Sequence, residues 1–159
     1  MGEEKCKVVV FGAYNAGKST FIRSLDPFSR HIEVKSDGGT TTVALDFGRV
    51  RMGQRVVYLF GTPGQERFEF ARQILSRGMH GAVMVVDTTR DLDALTERQH
   101  RWLQESGIPY AIMLNKCDHP GSTPERFRSR FYRAPIYAVS ALRPETVSDA
   151  FEAFVKEVL

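Results

Sequence analysis

The sequence predicts an α/β protein with a mostly parallel sheet, helices on both faces and one antiparallel edge strand. Three observations carry this. Short β-branched runs alternate with helical patterns along almost the whole chain. One run, residues 82–86, is apolar at every position, as a strand buried on both faces is. Two further runs flank Met52-Gly53 with no helix between them, which reads as a hairpin of antiparallel strands.

The elements follow in order. Residues 7–11 (KVVVF) form a buried strand that stops at Gly12, entering a tight turn. Residues 18–25 are a helix. After a polar stretch containing Gly38 and Gly39, residues 42–51 and 54–60 are the hairpin strands. Residues 66–77 are a helix closed by Gly78, and 82–86 the next strand. Residues 92–105 carry Leu92, Leu95, Gln99 and Trp102 at helical spacing, with Gly107 beyond the end. Residues 109–114 are a strand, 125–132 a short basic helix and 136–139 a last strand. Pro144 opens a C-terminal helix with an apolar face of Val147, Phe151, Phe154, Val155 and Val158.

A chain of 159 residues has room for one domain. Its 42% hydrophobic and 26% charged residues are globular usage, which excludes disordered and fibrous classes. No apolar run approaches the roughly 20 residues that span a bilayer, and no basic-then-apolar leader opens the chain, so the expected compartment is the cytoplasm. Cys6 and Cys117 cannot build a disulfide framework, and His31, His80, His100 and His119 are too dispersed for zinc. The net charge of +3 is accounted for by residues 121–133, where four Arg face one Glu. A charge excess confined to one patch argues against a nucleic-acid partner. Neither a C-terminal prenylation cysteine nor the myristoylation pattern after Gly2 is present, so no stable membrane anchor is expected.

In α/β sheets, ligands bind beyond the carboxyl ends of the strands. There Gly12-Ala-Tyr-Asn-Ala-Gly17-Lys18-Ser19 matches GxxxxGK[ST], between an apolar strand and a helix, where a phosphate loop must lie. Backbone N–H groups of Asn15, Ala16, Gly17, Lys18, Ser19 and Thr20 can turn inward onto phosphates, with the helix N-terminus adding positive potential. Lys18 can reach the β and γ phosphates, and the Ser19 hydroxyl suits Mg²⁺.

Asn115-Lys116-Cys117-Asp118 follows another strand end. A carboxylate there can accept from both a ring N–H and an exocyclic amine, a donor pair that guanine offers and adenine lacks. Asn115 can tie this loop to the phosphate loop, and the Lys116 stem can cover the base. Ser140-Ala141-Leu142, after the last strand, can present the Ala141 N–H to a guanine O6.

A phosphate loop, TPGQE at 62–66, NKCD at 115–118 and SAL at 140–142, in that order over essentially the whole sequence, resemble the Ras superfamily of small GTPases. The resemblance implies a P-loop NTPase fold with a six-stranded sheet, GTP/GDP with Mg²⁺, and residues 1–159 as one such domain. It also implies two mobile segments, about 26–42 and 61–78, that respond to the γ-phosphate. A threonine of the first segment normally contacts Mg²⁺ and the γ-phosphate. Among Thr40, Thr41 and Thr42, the stretch TVALDF resembles the TIGIDF of the Rab branch and points to Thr42, with Thr41 second. By the same resemblance Gly64 lends its N–H to the γ-phosphate and Gln65 orients the attacking water.

One departure stands out. Family members carry DxxG where this chain has Gly61-Thr62-Pro63-Gly64, and the missing Asp helps to hold Mg²⁺. Asp46 can replace it: whether the hairpin turn pairs Arg51 with Gln54 or with Val56, Asp46 and Gly61 share a sheet face within one rung. Asp-less TPGQ resembles a prokaryotic branch that includes MglA-like GTPases, which work with roadblock-type partners. The expected activity is slow GTP hydrolysis by a molecular switch, with a protein effector and an activating protein; the alternative is a GTP-binding scaffold with negligible hydrolysis. An arginine at the γ-phosphate adds about 10³ to 10⁵ in rate, and Arg30, Arg49 and Arg67 are the internal candidates.

Overall fold

The computed structural model describes residues 2–35, 42–62 and 75–159, without the side chains of 42 and 43. In chain order its elements are β1 (Glu4–Gly12), α1 (Lys18–Leu25), β2 (Arg30–Lys35), β3 (Thr42–Met52), β4 (Arg55–Gly61), β5 (Gly81–Asp87), α2 (Ala94–Ser106), β6 (Tyr110–Asn115), α3 (Pro124–Arg128), β7 (Ile136–Ala138) and α4 (Pro144–Glu157). The strands form one sheet in the order β2-β3-β4-β1-β5-β6-β7. From β4 to β7 all pairings are parallel, and β3 runs against both of its neighbours.

The mostly parallel sheet with its antiparallel part at one edge is as predicted, but it has seven strands where six were expected. The additional strand is β2, which adds outside β3. Only Ile32 and Val34 of β2 pack inward, half-buried, while Arg30, Glu33 and Lys35 face solvent. Charged outward residues are usual on an edge strand, and two apolar positions are too few to mark one in the sequence. Residues 63–74, which hold most of the predicted 66–77 helix, lie outside the described residues. The basic helix is shorter than predicted. Beyond Arg128 the chain continues in turns, with Phe127 and Phe131 buried and Arg126, Arg130 and Arg133 outside.

Alternation within the central strands builds two cores. Val8 and Val10 of β1, with Val83, Val85, Ala111 and Met113, face α1 and α4. Val9 and Phe11, with Met84, Val86, Ile112 and Leu114, face α2 and the aromatic residues around α3. A strand sandwiched in this way has no solvent-facing side, which is why its sequence is apolar without alternation. The topology brings Gly12, Gly61, Asp87 and Asn115, the last residues of four parallel strands, to one edge of the sheet.

Candidate nucleotide site

The loop from Gly12 to α1 takes the left-handed region at Asn15 (φ 66°) and Gly17 (φ 102°). Such a reversal turns successive amides toward one concavity. It faces a cavity of ≈ 650 Å³, within the range of small-molecule sites, lined among others by Lys18, Ser19, Thr20, Asp46 and Thr62. Lys18 Nζ donates to the carbonyls of Gly12 and Ala13. Burial pushes the ammonium down to about 8, opposed by the carboxylates of Asp46 and Asp93. An anion in the cavity offers this half-buried cation a stronger partner than loop carbonyls do.

Asn115, 2% exposed, ties the loops together: its Nδ2 donates to Ala16 O at 2.9 Å and its Oδ1 accepts from Ala141 N at 2.9 Å. The first bond is the loop tie read from the sequence. The second engages the Ala141 N–H, the group the sequence reading offers to a guanine O6, at the wall of the cavity beside Asp118. A buried amide must satisfy its acceptor as well as its donor. Lys116 Nζ bridges Asn15 O and Asp87 Oδ2, both at 2.9 Å. Asp118 is exposed, and its Oδ1 accepts from Ser140 Oγ at 2.5 Å. That bond, helped by Arg143 and His119, holds its carboxyl below the usual aspartate value despite a smaller opposing effect of desolvation. Asp118, Lys116, Thr20, Ser140, Ala141 and Leu142 line a second cavity of ≈ 200 Å³, which shares Gly17, Thr20 and Lys116 with the first.

At the other end, the hairpin pairs Arg51 with Val56 and so sets Asp46 directly opposite Gly61, as the register arithmetic predicts. Asp46 Oδ2 accepts from Ser19 Oγ, and Oδ1 lies 2.8 Å from His31 Nδ1. A Cβ at position 61 would stand 2.9 Å from Ile22 Cδ1 and 3.2 Å from the Asp46 Cβ, so glycine leaves the two side chains room to pack over this position. Thr42 is the first residue of β3, opposite Lys35. Thr40, Thr41, Gly64 and Gln65 lie outside the described residues.

The sequence reading missed His31, Asp87 and Arg90. Asp87 ends β5 and Arg90 follows it, where the carboxyl-edge rule applied to every strand finds them. His31 required knowing that β2 exists, since only its pairing sets it against Asp46.

A phosphate loop under a half-buried lysine, tied by an asparagine to a carboxylate loop two strands away, defines a P-loop nucleotide-binding protein. Residues 7–116 match the family model described as 50S ribosome-binding GTPase, and the chain belongs to that family of GTPases. Protein MJ1339 of Methanocaldococcus jannaschii is 36% identical over 118 residues, covering 74% of each chain. The mutual gliding-motility protein MglA of Myxococcus xanthus is 27% identical, over 99% of this chain and 92% of its own. Among solved structures, the G domain of the T. maritima FeoB iron transporter superposes with a TM-score of 0.76, covering 96% of this chain and 98% of that one, at 17% identity. That last likeness establishes the fold alone. The relatives place the chain among GTP-binding domains of the small-GTPase kind. Among the described residues, no helix is long and apolar enough to cross a membrane.

Proposed function

We propose that residues 1–159 form one switch domain that binds GTP with Mg²⁺, hydrolyses it slowly, and changes its partner surface when the γ-phosphate leaves. The observation that carries this reading is the tie between the two halves of the site: Asn115 joins the phosphate loop at Ala16 to the loop after β7 at Ala141. Polyphosphate and purine are thereby read by one connected frame. Asn15, Ala16, Gly17, Lys18, Ser19 and Thr20 bind the phosphates, and Asp118 accepts from the guanine edge over Lys116 and Leu142. Gly64 and Thr42 contact the γ-phosphate, so both mobile segments loosen on hydrolysis and the effector and activating protein read the difference. In this reading the activator is a roadblock-type protein and the compartment the cytoplasm.

The residues present suit Mg²⁺. Ser19 and Asp46 offer the hard oxygens this ion prefers, already in contact with each other. When bound, Mg²⁺ neutralises charge on the β and γ oxygens. Ser19 and Thr42 supply hydroxyls, Asp46 orients the Ser19 side from across the sheet, and Lys18 carries charge to the phosphates. Gln65 positions the water. Asp46→Asn should weaken the apparent Mg²⁺ affinity for nucleotide retention about 10- to 100-fold. Titrating Mg²⁺ against nucleotide release measures this, and an unchanged midpoint removes Asp46 from the site.

The reading as a whole is tested by incubating the purified chain with GTP and with ATP in Mg²⁺, then measuring bound nucleotide and released phosphate for wild type and Gln65→Leu. Retained GTP, excluded ATP and slow phosphate release that falls further in Gln65→Leu are expected. GTP retained with no release by wild type would make the protein a scaffold, and equal retention of ATP would end the guanine reading.

A further inference from the structure

The phosphate-loop cavity has a neighbour of ≈ 250 Å³, and Ala13, Tyr14, Asn15 and Arg90 line both. Arg90 sits between β5 and α2, at the carboxyl edge of the sheet. Among the described residues it is the one arginine lining the larger cavity; Arg30 on β2 and Arg49 on β3 are not part of that lining. The other basic side chains of that cavity are already engaged at close range. Lys18 donates to Gly12 and Ala13, Lys116 to Asn15 and Asp87, and His31 meets Asp46.

Arg90 is different. Its Nε stands 3.8 Å from Asp87 Oδ2, beyond hydrogen-bond distance, and its side chain is 77% exposed. Burial pushes the Asp87 carboxyl up, but donors from Thr89 and Lys116 outweigh that and keep it charged. Arg90 is therefore parked by charge alone beside the wall of the phosphate cavity.

We propose that Arg90 is a phosphate-binding residue of this site, its guanidinium leaving Asp87 to donate two N–H groups to the bound nucleotide's phosphates. The inference rests on the nucleotide-site reading above. The exchange is favourable on both sides. An exposed ion pair at this separation contributes little, while a forked guanidinium–phosphate contact is short and charge-assisted. Asp87 is not orphaned by the move, because Lys116 and Thr89 stay on it.

The test uses the full chain in Mg²⁺, as wild type, Arg90→Ala, Arg90→Gln and Arg90→Lys, with GTP, GDP and ATP affinities measured by competition and folding followed by thermal melting. Arg90→Ala and Arg90→Gln should weaken GDP, GTP or both about tenfold, with melting and the preference for GTP over ATP unchanged. Arg90→Lys should restore only part, since an ammonium lacks the fork. Wild-type GDP and GTP affinities in the neutral variants would overturn the proposal, as would a loss that also abolishes the preference for GTP. Absence of guanine-nucleotide binding by wild type would instead overturn the function proposed above.

Discussion

Asp118→Ala should collapse the preference for GTP over ATP from on the order of 10⁴ to within about tenfold. A site built around an acceptor for two donors rejects a base lacking them chiefly because its carboxylate would be left unpaired, and removing the carboxylate removes the rejection as well as the attraction. The change removes the Ser140–Asp118 bond, but Asn115 still ties the phosphate loop to the loop after β7. Phosphate-dependent binding therefore persists, and competition between GTP and ATP on the same preparation reads the ratio directly. The Ser140 hydroxyl holds the Asp118 carboxyl below its ordinary value of 3.8. Because the lowered value keeps the carboxylate charged to more acid pH, guanine preference is retained above it and lost as pH falls through it. Ser140→Ala should move that loss upward toward the ordinary value. A variant at 118 that still rejects ATP as strongly as wild type would show that the base is read elsewhere.

The second large effect is expected at Gly17, where conformation and space coincide. Its φ of 102° is a backbone state that side-chain-bearing residues rarely adopt, and an added Cβ would lie 2.3 Å from Asn115 Nδ2. Gly17→Ala must either strain the loop or push away the amide that reaches Ala16. Strained backbone and overpacking of this kind together cost about 2–5 kcal/mol, and nucleotide affinity should fall by more than about a hundredfold because both halves of the site move. Denaturant unfolding with and without GTP measures the two together. A stable Gly17→Ala variant with normal affinity would show that Asn115 does not couple the halves.

How legible the molecule was depends on the kind of signal each part leaves. The phosphate loop is a local arrangement: its spacing, the strand before it and the helix after it all lie within residues 4–25, and the chain there does what its residues dictate. The buried strands are legible for a similar reason, because burial on both faces demands apolar residues without interruption. Asp46 was reachable by arithmetic alone, since strand pairing in a tight hairpin ties position to position. The β2 strand was not legible. An edge strand needs only half an apolar face, and Ile32 and Val34 leave no pattern that a loop would not also show.

Residue identities along the chain were enough to place six of the seven strands and the phosphate-loop motif between the first strand and the first helix, since those follow from short stretches whose neighbours are their own sequence neighbours. Only three-dimensional packing decided that the Ala141 N–H bonds to Asn115, that Asp46 reaches Ser19, and that Arg90 stands loosely held at the phosphate cavity. Each of those depends on segments far apart in the chain meeting at one sheet edge. A hydrogen bond or an ion pair is then assigned by whichever partner is nearest in space, and the linear order carries no record of that.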